Sequence, residues 1–310
     1  MSKISIIIPV YFSSDTLMLL YEDMKSKILG KLDEYEIVFV DDGSEDNSFE
    51  IMEEIRAFDE NVKCVKLSRN FGEHPAILAG LSVCTGDCAV TKQADLQEDS
   101  ELILEMYERW KQGNKVVLAV RKERDEKAVN KFLANLYYTI IRKTVDNSMP
   151  VGGFDCYLLD RQVIKVIELL DEKNSALTLQ ILWAGFKTDK VYFHRRDRKI
   201  GQSRYTWAKK VKLAMDSMMS FSYFPIKFMS GVGVFFAVLA FIWIIEVIIE
   251  SIVLGIPVQG WASLMCLILF STGLILLMLG ILGEYLWRTL DASRNRPVYL
   301  IDEIRDSINK

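Results

Sequence analysis

Residues 36–46 read EIVFVDDGSED, an apolar run that ends in a cluster of acidic and small polar residues. The first part, Glu36–Val40, has the length and the branched and aromatic side chains of a buried strand. The residues after it have the composition of a turn. Their side chains either shape that turn and cap the next helix, as Asp42, Ser44 and Asp46 are placed to do, or they bind a ligand. Taken alone, this cluster favours the turn.

Apolar runs of strand length alternate with amphipathic segments on both sides of this cluster. The alternation predicts an α/β fold with a mostly parallel sheet that is covered by helices on both faces. Ligands of such sheets bind outside the carboxyl ends of the strands. The predicted strands are Ile4–Ile8, Glu36–Val40, Val62–Leu67, Cys88–Lys92 and Val116–Val120, and the predicted helices are Thr16–Leu29, Ser48–Phe58, His74–Cys84 and Ser100–Gln112.

Four polar clusters are predicted to lie at one edge of this sheet. Because the carboxyl ends of parallel strands share an edge, the clusters together favour a binding site over four separate turns. Their carboxylates suit hydrogen bonds to a ribose or a base. They also suit oxygen ligation of Mg²⁺ or Mn²⁺, which neutralises a diphosphate. The clusters are Pro9–Tyr11, Asp41–Asp46, Gln93–Asp99 and Gly152–Asp155.

Two uncharged apolar runs near the C-terminus are long enough to cross a membrane. Phe228–Ile245 has no charged residue over 18 positions, and Leu254–Gly283 has none over 30. A hydrocarbon core about 30 Å thick requires about 20 helical residues. Buried core helices, the alternative, usually carry a polar stripe that these runs lack. The sequence therefore predicts an α/β domain at 1–204, an amphipathic juxtamembrane helix at 205–225, transmembrane helices at 226–250 and 262–284, and a tail at 285–310.

Basic residues lie outside the two runs but not between them. The connecting stretch Glu246–Trp261 holds no Lys or Arg. The positive-inside rule then predicts an integral membrane protein with two spans, with both termini and the α/β domain in the cytoplasm. The flanking basic residues are Lys209, Lys210, Lys212 and Lys227 before the first run, and Arg288, Arg294 and Arg296 after the second.

The composition argues against several classes of function. A net charge of −4 gives no case for a nucleic-acid partner. The five cysteines are scattered without a Cys-x-x-Cys pair, so no disulfide framework is expected. With two histidines in the chain, a zinc site is not expected. The 50% hydrophobic content is high for a soluble protein and reflects the apolar runs.

Motifs along nearly the whole chain match one known family. They are Ile7–Tyr11, Val40–Ser44, Leu67–Gly72, Ala79–Leu81, Gly86-Asp87, Ala94–Gln97, Leu159–Arg161, Gly201–Tyr205, Gly283–Tyr285 and Arg296–Tyr299. On these residues the chain resembles family-2 inverting glycosyltransferases with the type-A nucleotide-diphospho-sugar fold. Within that family it is similar to membrane-anchored polyprenyl-phosphate glycosyltransferases, the group of dolichyl-phosphate mannose synthase and bacterial undecaprenyl-phosphate sugar transferases. Processive polysaccharide synthases carry a Gln-x-x-Arg-Trp signature, and Gln180–Trp183 lacks its arginine.

The resemblance implies a reaction and its partners. A sugar would pass from a UDP- or GDP-linked donor to a polyprenyl phosphate at the cytoplasmic membrane face, supplying lipid-linked sugar for modification of cell-envelope glycans. The resemblance also implies Mg²⁺ or Mn²⁺ as cofactor. A homo-oligomer is compatible with it, because membrane hairpins of this type often pack between protomers.

The resemblance also assigns roles to individual residues. Nucleoside contacts are expected from Pro9, Tyr11, Asp41 and Asp42. Metal ligation is expected from Asp95 and Gln97, and Asp155 is the acidic residue beside the acceptor. For Arg198 and Arg204 in the basic loop at 195–204, the alternative to a ligand contact is a solvated surface or a patch that binds lipid headgroups. Phosphate contacts are expected from Arg121, from Lys131 on the acceptor side, and from those loop arginines, Arg198 and Arg204, which would clamp the donor diphosphate.

Two departures from the family's usual sequence bear on this site. Gln93 stands where the family usually has the first aspartate of Asp-Ala-Asp-Leu-Gln. It still offers a neutral oxygen, but the lost charge predicts weaker cation binding. Cys156-Tyr157 replaces the usual Phe-Arg, so an arginine able to pair with phosphate is missing.

Two other functions remain compatible with the sequence. A catalytically weak or silent homologue that binds nucleotide sugar at the membrane would tolerate the loss of charge at Gln93. A transferase that acts on a different membrane acceptor would share the donor motifs. Formation of a lipid-phosphate sugar by the protein separates these alternatives from the function that the resemblance implies.

Overall fold

The computed structural model describes residues 2–122, 139, 141–143, 147–150, 153–170, 172, 175–194, 217, 219–222, 224–253 and 260–306. The chain forms two compact units. The first comprises Met1–Ala214 together with Pro297–Lys310, and the second comprises Met215–Arg296. The C-terminal residues therefore belong to the same unit as the N-terminal domain.

A mixed sheet forms the centre of the first unit. In the described residues it has eight strands in the order β7-β5-β6-β4-β1-β2-β3-β8. Neighbours in the segment β4-β1-β2-β3 are parallel, as are β5 and β7, whereas β6 and β8 run antiparallel to their neighbours. The strands are β1 (Lys3–Val10), β2 (Glu34–Asp41), β3 (Val62–Leu67), β4 (Cys88–Thr91), β5 (Val116–Arg121), β6 (Phe154–Asp160), β7 (Thr188–Phe193) and β8 (Ile301–Arg305).

Helices alternate with the strands and bury one face each against the sheet. In α2, for example, the buried side chains Phe49, Met52 and Ile55 recur every three residues and form one apolar face. The central strand β1 is apolar on both faces because it is covered on both sides. The helices of this unit are α1 (Ser14–Lys27), α2 (Ser48–Phe58), α3 (Glu73–Val83), α4 (Glu101–Lys111), α5 (Arg161–Leu169) and α6 (Leu177–Trp183).

The predicted α/β fold is confirmed. Every strand and helix predicted up to residue 120 is present, and their ends differ from the predicted ones by at most two residues. Strand β8, in contrast, lies in the segment 285–310 that was predicted to be a tail. Strand β8 pairs antiparallel with β3, with Cys64 opposite Arg305 and Val65 opposite Ile304. It therefore covers an edge of the sheet that the N-terminal domain leaves unpaired.

Contacts on both sides of β8 fix it to the sheet. The backbone N–H of Ser68 donates to the Leu300 carbonyl at 3.0 Å. Arg56 of α2 donates to the Asp306 carbonyl at 3.3 Å. Arg305 lies 3.8 Å from the carboxylate of Glu53, also on α2. The strand is thus part of the folded domain and carries charged residues that suit an outer edge.

At the amino-terminal edge of the sheet, the buried carboxylate of Glu36 joins three chain segments. It accepts hydrogen bonds from the Ser5 hydroxyl at 2.6 Å and from the Thr85 hydroxyl at 2.8 Å. The backbone N–H of Gly86 donates to it at 3.2 Å, and the Lys3 ammonium lies 3.1 Å away. Burial opposes the charge of Glu36, but these partners outweigh burial and lower its pKa from 4.5 to about 2.

We expect Glu36→Gln to destabilise the folded chain by about 2–3 kcal/mol at neutral pH. A carboxyl whose pKa is lower in the folded chain stabilises the fold above its unfolded value. That contribution is lost as the pH falls from 4.5 toward 2. Thermal unfolding of the purified full-length chain measures the difference, which should shrink across this pH range. Glu34→Gln, at the exposed start of the same strand, is the control and should change little. An equal effect of both variants would contradict the assignment.

The second unit contains two long apolar helices, α7 (Phe224–Val253) and α8 (Trp261–Ser293). Both are long and apolar enough to cross a membrane, over Pro225–Trp243 and Leu267–Ser293. Within these windows only 6% and 0% of the residues are buried, so the helices are not core helices of the described chain. Both extend beyond the predicted spans at 226–250 and 262–284. The predicted juxtamembrane helix at 205–225 lies mostly outside the described residues.

Candidate active site

The loops after β1 and β2 are held together at the carboxyl edge of the sheet. The Phe12 N–H donates to the Ser44 hydroxyl at 3.0 Å, and the Ser13 N–H donates to the Ser48 hydroxyl at 2.9 Å. Phe12 has a φ of 51°, so the chain turns sharply directly after Tyr11. Tyr11 itself is 39% exposed. A partly exposed aromatic ring in a fixed loop suits contact with a flat ligand such as a base.

The two aspartates that end β2 have different surroundings. Both Asp42 oxygens accept hydrogen bonds from backbone N–H groups, those of Phe71 at 2.6 Å and Gly72 at 2.9 Å. Asp41 accepts from the Ser44 N–H at 3.1 Å through Oδ1, while its buried Oδ2 has no partner among the described residues. Burial raises the pKa of both carboxyl groups. Asp42 therefore fixes the loop before α3, whereas Asp41 has one carboxylate oxygen without a partner among the described residues.

Gly43 permits a close approach between the loops after β2 and β3. A Cβ at this position would lie 2.6 Å from both the Arg69 carbonyl carbon and the Asn70 nitrogen, and the φ of Gly43 is +69°. A side chain would thus separate the two loops. The alternative roles in shaping the turn and capping the next helix are also present. Asp46 accepts from the Ser48 N–H at 3.3 Å at the start of α2, so these side chains build the turn as well as the edge of the site.

The loop after β4 holds the residues expected to bind metal. The Gln97 N–H donates to Asp95 Oδ1 at 3.1 Å, and the φ of Leu96 between them is 58°. This turn presents Asp95 and Gln97 from one short segment. Lys92, which is 2% exposed, supports the loop from below by donating to the Glu98 carbonyl at 3.0 Å. Lys92 was not among the predicted site residues, although a lysine at the end of a buried strand indicates a polar partner nearby.

Gln93 contacts a carboxylate from another part of the chain. Its side-chain amide donates to Glu73 Oε1 at 2.5 Å. Glu73 is the first residue of α3 and is exposed. It lies 20 residues before Gln93 in the sequence, so no local motif could have linked the two.

Asp155 forms an ion pair with Arg121 at the neighbouring part of the edge. Arg121 ends β5, Asp155 lies in β6, and the two strands are antiparallel neighbours. The Arg121 side chain is 13% exposed and that of Asp155 is 49% exposed. The structure therefore brings together two residues that were predicted separately. Arg121, expected to contact phosphate, orients the carboxylate of Asp155. Lys131, Arg198 and Arg204 lie outside the described residues.

The oxygen donors of this edge fit a hard divalent ion. Mg²⁺ in nucleotide sites binds to one or two carboxylates together with substrate phosphates rather than to an all-protein cage. Asp95 and Gln97 share one turn, and Glu73 adds a carboxylate beside Gln93. In the described part of the chain, no three or more acidic, histidine or cysteine side chains are arranged so that they alone could hold a metal ion. Such a donor set leaves coordination positions that water fills in the free protein and that oxygens of a phosphorylated ligand can take over.

A mixed α/β sheet with acidic loops at its carboxyl edge is typical of α/β enzymes that bind their ligand at that edge. The chain belongs to glycosyl transferase family 2, which matches residues 5–168. It is 36% identical over 307 residues to the uncharacterized glycosyltransferase YkcC of Bacillus subtilis, covering 99% of this chain and 95% of that protein. It is 34% identical over 300 residues to the bactoprenol glucosyl transferase of Shigella phage SfX, covering 96% and 98%.

A solved structure agrees with the fold. The mannosyltransferase PcManGT from Pyrobaculum calidifontis, in complex with GDP-Man and Mn²⁺, is similar with a TM-score of 0.50 at 15% identity. The similarity covers 66% of this chain and 59% of that chain, and at this identity it shows the fold alone. The family assignment is carried by the sequence matches, which confirm the resemblance and make the chain an enzyme of the glycosyltransferase class.

Proposed function

We propose that the protein transfers a sugar from a nucleotide sugar to a polyprenyl phosphate at the cytoplasmic face of a membrane. The observation that carries the proposal is the likeness to the bactoprenol glucosyl transferase of phage SfX. That likeness spans 96% of this chain, so it includes the apolar helices as well as the catalytic domain. A membrane hairpin fused to the domain places the enzyme in the same two-dimensional phase as a lipid acceptor, which raises the effective concentration.

The acceptor chemistry requires little proton transfer. A phosphate monoester has its second pKa near ~6 and is largely dianionic at neutral pH. One phosphate oxygen attacks the anomeric carbon of the donor sugar, the bond to the diphosphate breaks, and the configuration inverts. The products are a polyprenyl-phosphate sugar and a nucleoside diphosphate. Asp155 then serves mainly to orient the acceptor side, held in position by Arg121.

The donor side requires recognition of the nucleoside and compensation of charge. We assign the nucleoside contacts to Pro9, Tyr11 and the Asp41 oxygen that has no partner among the described residues, with Asp42 holding the loop before α3 in position. When bound, Mg²⁺ or Mn²⁺ would neutralise the departing diphosphate. Asp95 and Gln97 are the residues that we assign to hold it. We also assign diphosphate contacts to Arg198 and Arg204 and an acceptor-phosphate contact to Lys131.

Strand β8 supports the proposed topology, with both termini and the catalytic domain in the cytoplasm. Because Ile301–Arg305 follows α8 and pairs with β3 of the catalytic domain, the chain must return to the side of the membrane from which it started. The number of crossings between these two segments is therefore even. The basic residues at both ends of the apolar runs favour the cytoplasmic side.

We expect a cysteine introduced into the connecting segment Glu250–Gln259, between the two apolar runs, to react with a membrane-impermeant maleimide in intact cells. A cysteine at the exposed position Asp302 of β8 should react only after permeabilisation. Both experiments use a background without accessible native thiols. Labelling of the Asp302 variant in intact cells would contradict the topology. So would a failure of the maleimide to label the variant in Glu250–Gln259 until the membrane is permeabilised.

The reaction itself is tested with radiolabelled donors. Membranes that contain the overexpressed chain are incubated with UDP- or GDP-linked sugars and polyprenyl phosphate, and the lipid phase is extracted. We expect an acid-labile labelled lipid whose formation depends on the chain. Donor binding without such a lipid, measured by a thermal shift of the purified chain, would overturn the proposed acceptor and favour a silent homologue or another acceptor.

A further inference from the structure

The hydrogen bond between Gln93 and Glu73 places a carboxylate beside the position at which the family usually has an aspartate. The amide of Gln93 donates to Glu73 Oε1 at 2.5 Å. This hydrogen bond holds the exposed carboxylate of Glu73 beside Gln93, two positions before Asp95 in the chain. The negative charge missing at position 93 is thereby present nearby, on a residue from α3.

A second observation concerns Tyr157, a buried tyrosine that lies within electrostatic reach of Glu73. Its side chain is among the largest that are fully buried, and its hydroxyl has no hydrogen-bond partner in the described residues. Burial raises the pKa of Tyr157 well above its usual value, and the charge of Glu73 raises it further, so Glu73 lies within electrostatic reach. An unpartnered buried hydroxyl near a carboxylate suits a bound water or a ligand oxygen.

The charges around Glu73 also favour a bound cation. Glu73 has no ion-pair partner among the described residues. The family's usual arginine at the position of Tyr157 is missing, so it cannot neutralise this carboxylate. The exposed carboxylate of Glu73 is therefore accessible to a cation. A divalent ion held by Asp95 and Gln97 would provide that positive charge.

We infer that Glu73 is a metal-facing carboxylate of the donor site and takes over the charge that Gln93 lacks. The inference rests on the proposed metal-assisted use of a nucleotide sugar, and it predicts that Gln93 does not weaken cation binding as the sequence alone suggested. The inference also predicts that a carboxylate at position 93 can replace the one at position 73, so that the affinity for the cation is kept.

Binding of Mn²⁺ alone to the purified full-length chain tests this. The signal of the free ion is followed by electron paramagnetic resonance. Glu73→Gln should weaken Mn²⁺ binding by about tenfold. The double variant Glu73→Gln/Gln93→Asp should restore the affinity for Mn²⁺. It carries the same carboxylate and amide groups, with their positions 73 and 93 exchanged. Glu50→Gln removes an exposed glutamate from the first turn of α2 and is the matched control, with no change expected.

Unchanged Mn²⁺ affinity in Glu73→Gln overturns the inference. So does a double variant that binds as weakly as Glu73→Gln, because a lost carboxylate would then not be replaceable from position 93. The titration contains neither donor nor acceptor. Failure to form a lipid-linked sugar would therefore contradict the proposed function without altering this result, and the reverse also holds.

Discussion

Asp95→Ala is expected to lower the rate of lipid-linked sugar formation by about 100-fold or more. Asp95 is the acidic side chain of the turn that ends at Gln97, and removing it takes a full negative charge from the proposed metal site. The loss should appear mainly in kcat, because charge builds up on the diphosphate as the sugar leaves. The extraction assay with labelled donor measures the rate at limiting and at saturating Mn²⁺.

Glu101→Gln is the control for this variant. Glu101 is an exposed residue at the start of α4, six positions after Asp95, and its nearest basic partner, Lys31, is 4.0 Å away. Its replacement should leave the rate unchanged. If Asp95→Ala retained the wild-type rate at limiting Mn²⁺, the assignment of Asp95 to the metal would be wrong.

Deleting residues 301–310 is expected to destabilise the catalytic domain by about 3 kcal/mol, a loss of roughly 5–10 °C in unfolding temperature. The deletion removes β8, exposes the backbone groups of β3, and removes the contacts of Arg305 and Asp306 with α2. Thermal unfolding and limited proteolysis of the purified protein measure the effect. An exposed strand edge should also promote aggregation.

Deleting only residues 307–310 provides the matched comparison, since it keeps the whole of β8. This shorter deletion should behave as the wild type does. Equal stability of the two truncated chains would show that β8 contributes nothing to the domain, and it would remove the structural support for an even number of crossings.

The central part of the fold was predictable because its signals are local. Strands such as Val62–Leu67 and helices such as Ser48–Phe58 were predicted to the residue, since strand and helix periodicities are written in short windows. Strand β8 was not predicted. Its five residues include two acidic side chains and one arginine, which suit an outer edge but give no apolar pattern. Its partner lies more than 230 positions earlier in the chain, a separation that no local pattern reports.

The site was predictable as a place but not as a set of contacts. Asp41, Asp42, Asp95 and Asp155 do occupy the loop edge of one sheet, as strand order implied. The sequence could not tell that Asp42 accepts hydrogen bonds from backbone N–H groups while one oxygen of Asp41 has no partner in the part of the chain that the structure describes. It also could not show Glu73 beside Gln93, because that contact depends on how α3 packs at the end of β4.

The position of β8 after both apolar helices has a consequence for synthesis. At roughly 5–20 residues per second, a ribosome needs roughly 10–50 s to proceed from β3 to the last strand. During that interval the two apolar helices are made, and the edge of the sheet at β3 remains unpaired. A nascent chain that stalls in either apolar helix never finishes its sheet. The sheet is thus completed only after both apolar helices have been synthesised, and a fragment without these helices also lacks β8.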